Sequence, residues 1–325
     1  MISLSLLSAW IAVQGGTTRV ATYNIEWFPE DAPAERIDSL KSVLNNVKPN
    51  IIAVQEVQSL KALTQLFDSE WQIGIADETS EDQEPGIAVK KPYRLESYGL
   101  VFKDPLFDYA FPGKRDVLRA EVSTPGGKKL TFYVVHMKSR SGGRLQTAPQ
   151  RTMAAGLLAA YIKGKNDENA VVLGDFNDAP DDQSLNILKS GDLNAKGGKW
   201  TGKPMLVDLL DDMYRKDAVS HGLCDLYRGQ ALPAVVAGAY GENERTRGID
   251  YRYPQDLKVT QILFDQILVS PKLAEGATPM IYSGADALKG RRGRVRRNDE
   301  GRAEYTQKGT RASDHLPVYA DLKIN

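Results

Sequence analysis

The sequence predicts one α/β domain in which antiparallel-rich sheets are covered by a few helices. Apolar runs of strand length are numerous and often separated by turns alone, whereas helix-period stretches are few. No internal repeat or Pro/Ser-rich linker divides the 325 residues. That length would suggest two domains of about 150 residues each, but one large layered domain accommodates it as well.

Taken in order, residues 1–13 are uncharged and apolar but too short for a stable bilayer anchor. With the small residues Val13 and Gly15 ahead of Thr17, residues 1–16 read as a short secretory leader without a basic n-region, or alternatively as a buried first strand. A leader implies a secreted or periplasmic protein, and its absence a cytoplasmic one. Strand-like runs follow at 20–25, 51–55, 86–89, 130–135, 170–173, 261–264, 267–269 and 316–319. Helix periodicity covers residues 34–47, 59–67 and 149–163. No other run approaches about 18 apolar residues, so no membrane span is expected, and the chain is expected to act as a monomer.

With 42% hydrophobic and 26% charged residues, the composition is that of an ordinary folded chain. The single Cys224 excludes an intramolecular disulfide framework and a multi-cysteine zinc site. Forty-two basic residues balance 42 acidic ones, which argues against a globally basic coat protein but leaves local patches open. Residues 77–84 hold five acids and read as a solvated loop. Residues 285–311 hold nine Lys/Arg against four acids, either a mobile surface loop or a polyanion contact.

The polar residues that matter stand at strand ends. Asn24 ends the first run, Glu56 the second, His136 the run from 130, and Asp175 with Asn177 the run from 170. Asp265 interrupts an apolar strand, and Asp314 with His315 opens the last one. An apolar strand holds a polar group at its end rigidly, as a catalytic or metal site requires. One such residue is as well explained by a turn or cap; six segments together are not. Oxygen donors without a Cys/His cluster suit a hard ion, Mg²⁺ or Mn²⁺, and a histidine among carboxylates can contact phosphate or move a proton. Neither a complete Gly-x-x-x-x-Gly-Lys-Ser/Thr phosphate loop nor a Gly-x-Ser-x-Gly elbow is present, so metal-assisted attack of water on a phosphate ester fits best.

The ordered set Thr22-Tyr-Asn24-Ile, Val54-Gln-Glu56-Val, His136, Gly174-Asp175-Phe-Asn177, Asp265 and Ser313-Asp314-His315-Leu-Pro resembles the endonuclease/exonuclease/phosphatase superfamily. His-Met-Lys-Ser at 136–139 is similar to the corresponding strand end in its secreted bacterial nucleases. The resemblance covers about residues 19–323 and implies one such domain over residues 17–325. It implies a four-layer α/β/β/α sandwich, with two mainly antiparallel sheets face to face and helices outside. It also implies roles. Glu56, Asn24 and Asp314 would form the metal side. Asp175 would orient and deprotonate water. Asn177 would hold Asp175 or donate to the phosphorane-like oxygen. His315 would bind a non-bridging oxygen, with Asp265 fixing its tautomer. His136 would be the second histidine on the phosphate, with protonation of the leaving oxygen as a further role.

Asp265 is preferred over Asp250, which also resembles the family's Asp-Tyr element, because Pro254 and charges follow Asp250 while Asp265 lies in a buried-strand pattern. Gln266 stands where the family commonly has an aromatic residue. His221 lies in an irregular polar context and reads as a surface or loop histidine, with Cys224 beside it a small buried residue. Lys138, Arg140 and Arg144 on a Gly-rich loop, and Arg151 at a helix start, are candidate substrate contacts; a solvated Arg151 is the alternative. These cations and the 285–311 segment favour nucleic acid, DNA or RNA, as substrate. A lipid or small-molecule phosphodiesterase or phosphatase is the alternative, and a non-catalytic binding module would require the loss of Glu56, Asp175 or His315.

Overall fold

The computed structural model describes residues 16–76, 83–113, 115–141, 144–216, 218–221, 226–227, 230–231, 262–299 and 303–324. β1 (Gly16–Phe28), β2 (Ile51–Val57), β3 (Trp71–Ile75) and β4 (Glu84–Lys90) begin a first sheet. β5 (Arg94–Val101), β6 (Val117–Ser123), β7 (Lys129–His136), β8 (Ala170–Asp175) and β9 (Val207–Asp208) build a second. β10 (Leu226–Tyr227) and β11 (Gln230–Ala231) pair separately. β12 (Asp265–Val269) returns to the second sheet and β13 (Thr278–Ile281) to the first. β14 (Arg294–Arg297) and β15 (Ala303–Gln307) form an arm, and β16 (Val318–Ile324) enters the first sheet between β13 and β1. The six-stranded orders are β13-β16-β1-β2-β4-β3 and β5-β6-β7-β8-β12-β9.

Each sheet contains one parallel pair, β1 with β2 and β7 with β8; the other pairings within the two sheets are antiparallel. A parallel pair needs a crossover, and both crossovers contain a long helix: α1 (Ala34–Val47) in the first sheet and, after the four-residue α2 (Leu60–Leu63), α3 (Arg144–Lys165) in the second. These central strands are buried on both faces, so they read as continuous apolar runs. The period of two sorts the side chains. Ile51, Ala53, Val171 and Leu173 enter the core between the sheets. Ile52 and Val54 pack outward in the cluster with Leu40, Val43 and Val47 of α1, while Val172 packs with Leu158 of α3 and Leu185 of α4 (Gln183–Ser190). This is the expected four-layer sandwich. Among the described residues no helix is long and apolar enough to cross a membrane.

Several expectations need correction. Residues 59–67 yield only the four residues of α2, capped by the Ser59 side chain, and then turns. α3 begins at Arg144 rather than near 149, so Arg144 opens a helix instead of lying in a loop. Ile262 makes only an isolated bridge to His221, and the last strand starts at Val318, beyond Pro317, whose missing N–H cannot join a ladder. Glu84, at the end of the acidic stretch, is buried at the start of β4. Of the expected leader, residues 1–16, all but Gly16 lies outside the described residues, and Gly16 pairs with Ile324. Asp250, Cys224 and residues 77–82 also lie outside the described residues.

Candidate active site

The carboxyl ends of the two parallel pairs meet at one edge of the sandwich. In the second sheet, strand register puts His136, Asp175 and Asp265 side by side on β7, β8 and β12. From the first sheet come Asn24 on β1 and Glu56 on β2, and the turn before β16 adds Asp314 and His315. Glu56, His136, Asp175, Asp314 and His315 line a cleft of about 420 Å³ with Glu26, Trp27, Gln83, Arg115, Arg140, His221 and Arg292, and Asn24 and Asp265 reach it through hydrogen bonds to Asp175 and His315. A larger hollow of about 860 Å³ lies beside α1, but its polar lining (Lys41, Asn45, Thr64, Asp68) includes no acid–histidine set.

The backbone around the cleft is strained. Glu26, Trp27, Glu56 and Asn177 have φ of 46°, 49°, 62° and 51°. Such conformations cost roughly 1–3 kcal/mol each and persist only where the surrounding structure enforces them. Gly174 is required for a different reason. A Cβ there would lie 2.0 Å from the Val135 carbonyl oxygen, so only glycine lets β7 and β8 approach just before Asp175.

Hydrogen bonds orient the acids. The Asn177 backbone N–H donates to Asp175 Oδ1 at 2.8 Å, and its Nδ2 lies 3.2 Å from Oδ2. Asn24 Nδ2 donates to Asp175 Oδ2 at 3.0 Å and to Glu56 Oε1 at 3.1 Å, while the Trp27 N–H donates to Glu56 Oε2 at 3.0 Å. The Asn24 oxygen accepts the Glu26 N–H, and its amide nitrogen bridges the two acids. His315 Nδ1 lies 2.8 Å from Asp265 Oδ2, which also accepts from Ser220 Oγ at 2.7 Å. His315 Nε2 then faces Asp175 at 3.8 Å, and His136 Nε2 stands 3.5 Å from Glu56.

The two motif histidines are driven apart electrostatically. Burial, reinforced by Arg115, holds His136 well below its ordinary pKa, so it is neutral at pH 7. Burial alone would also lower His315, but Asp265 and then Asp175 hold it well above the usual range, as an imidazolium. Burial pushes Asp175 up to about 6, against the pull of His315. Asp314 is held below the usual carboxylate range: burial opposes this, and the Arg292 charge overrides it.

Glu56, His136 and Asp175 present ligand atoms within 4.8 Å of one another. This oxygen-rich, thiol-free set fits a hard divalent ion. Sequence reasoning missed four ionisable lining residues, Glu26, Arg115, His221 and Arg292. His221 is not a surface residue: its ring lies 4.6 Å from that of His315 and its Nε2 3.7 Å from Asp314. Glu26 has the same alternation parity as Asn24, a signal the sequence did offer. Arg115 and Arg292 arrive from loops that periodicity does not place. Conversely, Arg140 and Arg151 are turned away from solvent. Arg140 pairs with Asp182 at 2.6 Å and Asp178 at 3.2 Å, and Arg151 with Asp178 at 2.8 Å. Both are held in buried ion pairs, and Arg140 also lines the cleft. Lys138 is half-buried beside the cleft, its pKa lowered by burial and Arg115; the Arg144 side chain lies outside the described residues.

Residues 24–230 match the Endonuclease/Exonuclease/phosphatase family. No curated protein matches the chain. Among solved structures, truncated TDP2 from Caenorhabditis elegans is 16% identical, with 95% of this chain and 98% of that one covered at a TM-score of 0.58. D. rerio TDP2 complexed with single strand DNA product is 18% identical, with coverage of 94% and 98% and a TM-score of 0.56. The Bacteroides thetaiotaomicron mannosyl-6-phosphatase is 15% identical, with coverage of 94% and 99% and a TM-score of 0.54. At these identities the likeness is one of fold.

Proposed function

The chain belongs to the endonuclease/exonuclease/phosphatase family, and from that premise we propose that it hydrolyses phosphodiester bonds of nucleic acid. Family and cleft together make it a metal-dependent phosphoesterase. The observation that carries the chemistry is the pairing of Asp175, poised near neutrality, with the imidazolium of His315 at 3.8 Å. A carboxylate with a pKa of about 6 is largely ionised at pH 7 yet basic enough to accept a proton from water. Asn24 and Asn177 fix its two oxygens, so the lone pair that takes the proton has one direction. His315, locked by Asp265, donates from Nε2 to a non-bridging phosphate oxygen, and neutral His136 donates a hydrogen bond rather than a charge. Preorganised donors of this kind contribute roughly 3–4 kcal/mol each to a transition state. A Mg²⁺ or Mn²⁺ ion, held by Glu56, would supply Lewis-acid neutralisation of the phosphate.

Nucleic acid is favoured by the cations flanking the cleft. Arg115 and Lys138 stand on the His136 side, and the exposed Arg291, Arg294 and Arg296 on the other. Trp27 lines the cleft and offers a face for base stacking. The D. rerio TDP2 complex with a DNA product shares the fold. A second reading, a phosphate monoester substrate, is favoured by the modest cleft volume and by the mannosyl-6-phosphatase of the same fold.

The test is a panel of supercoiled plasmid, RNA, sphingomyelin and mannose 6-phosphate, each with Mg²⁺, Mn²⁺ or EDTA. We expect nucleic acid to be cut only with metal, more slowly as salt rises, and with a shallower salt slope in Arg294→Gln/Arg296→Gln. Phosphate release from the monoester, or lipid hydrolysis, with nucleic acid left intact would overturn this reading.

A further inference from the structure

We propose that the hollow beside α1, at the end of the first sheet away from the cleft, is a second binding site, and that it takes a nucleotide, with the phosphate on lysines and the base against Trp71. The proposal stands apart from the nuclease reading, because its residues are not those of the cleft. The hollow has a volume of about 860 Å³, within the roughly 300–1,000 Å³ of small-ligand sites. Its place follows from strand direction. Lys48 and Asn50 precede β2 and Lys90 ends the antiparallel β4, whereas Glu56 stands near the far end of β2. At about 3.3 Å per residue, the span from Asn50 to Glu56 puts the two sites roughly 20 Å apart.

Charge is the first argument. Lys41, Asn45 and Lys48 fall at helical spacing on one face of α1 and its cap, and form one wall. Lys90 reaches the hollow from β4. The acid in the lining, Asp68, is turned to its own loop, where its Oδ1 accepts the Glu70 N–H at 2.9 Å. Three ammonium groups therefore face one engaged carboxylate. The carbonyl end of α1 opposes an anion here, but the Lys48 N–H already takes the Leu44 carbonyl at 2.8 Å. The hollow at Trp27 differs: its Lys308 pairs with Asp31, and Glu30 and Glu304 line it too. That wall repels a phosphate, and this one attracts it.

The second argument is aromatic. Trp71 lines the hollow half-buried, its ring 5.0 Å from that of Phe67 and with the Lys90 Nζ over it at 5.7 Å. β3 holds it firmly, since Trp71 pairs with Lys90 in register. A rigid indole beside ammonium groups can stack a base while the phosphate is neutralised. A bare phosphate would use the lysines and leave the ring idle, and an apolar ligand would do the reverse; a nucleotide uses both. Asn45 and Asn50 supply polar edges for the base. The Asn50 Oδ1 accepts the Arg19 N–H at 2.7 Å, so its Nδ2 is the end available to a ligand.

Titration calorimetry with AMP, adenosine and inorganic phosphate, all in EDTA so that nothing is hydrolysed, tests this. Wild type is expected to bind AMP more tightly than either fragment. Lys41→Gln/Lys48→Gln should weaken AMP about tenfold and leave adenosine unchanged. Trp71→Leu should weaken AMP and adenosine alike, by about tenfold, and leave phosphate unchanged. Both lysines are exposed, so the double variant should fold even if Trp71→Leu does not. Hydrolysis of a chromogenic phosphodiester in Mg²⁺ should be the same in wild type and the lysine variant. A long oligonucleotide that displaces AMP assigns the nucleotide to a strand, and one that does not assigns it to a free nucleotide. AMP binding that survives the lysine change, or phosphate bound as tightly as AMP, would overturn the inference. Wild type that cuts nucleic acid but binds no AMP overturns this inference alone. Wild type that binds AMP but cuts no nucleic acid overturns the nuclease reading alone.

Discussion

Two clusters of buried charge stand at the same end of the second sheet, three residues apart in the chain. One is the cleft around Asp175; the other is the lock of Arg140 and Arg151 on Asp178 and Asp182. In the lock two arginines meet two acids. The Arg140 Nε–H also donates to the Asn177 carbonyl at 2.9 Å, and Ser184 Oγ to Asp178 Oδ2 at 2.6 Å. The cleft is lined by Glu26, Glu56, Asp175 and Asp314 together with Arg115, Arg140, Arg292 and His315. It also concentrates left-handed backbone at four non-glycine positions and leaves His136 Nδ1 buried without a partner. Similar residue types therefore do opposite work. Paired charge fixes the loop after β8, whereas the charge of the cleft, carried on strained backbone, is arranged to meet a cation and a phosphate.

The largest effect should come from breaking the lock. Arg140→Met would take the guanidinium from Asp182 and leave Asp178 to Arg151 and Ser184, and we expect a loss of about 3–5 kcal/mol by denaturant unfolding. Glu56→Gln, in the cleft, should change stability by less than about 1 kcal/mol while impairing metal binding. Equal destabilisation by both would erase the distinction between the clusters.

Gly174→Ala tests the joint between the two clusters. The added methyl must push β7 from β8, and we expect a stability loss of more than about 2 kcal/mol together with lost activity, because His136 and Asp175 share that register. A variant with normal melting temperature and rate would show that the close approach is dispensable.

A smaller effect is the pH profile. kcat/KM should rise as Asp175 ionises near pH 6 and fall at alkaline pH as His315 loses its proton. The stability of the fold carries the opposite sign for Asp175. Its pKa is raised on folding, so its contribution is fully present below the unfolded value and is lost as pH rises through about 6. Asp175→Asn should accordingly gain stability relative to wild type at pH 8 and not at pH 4. His315 also has a raised pKa, so its stabilising contribution is lost as pH rises through its folded value.

Much of this was legible because apolar strands announce themselves and fix what stands at their ends. Asn24, Glu56, His136 and Asp175 are each the polar stop of such a run, Asp265 opens β12, and the sheets bring them together with Asn177, Asp314 and His315. The misses have a common physical source. Arg115, His221 and Arg292 sit in irregular segments whose position is decided by long-range contacts. Arg140 and Arg151 read as free cations near His136 because nothing local reveals that Asp178 and Asp182 fold back onto them. The acids were visible at 178, 181 and 182, but the pairing was not. In the 285–311 segment the charge was plain, while its division between an inserted Arg292, the Arg296–Glu304 pair and the buried Arg311 belongs to the tertiary structure.

The central claim is that the strand-end cleft cleaves phosphodiesters with Asp175 as its base. Single-turnover cleavage of a labelled oligonucleotide by Asp175→Asn in Mg²⁺, at matched thermal stability, tests it most directly. We expect a rate reduced by about 10³-fold or more, with the substrate still bound. Cleavage within tenfold of wild type would contradict the assignment.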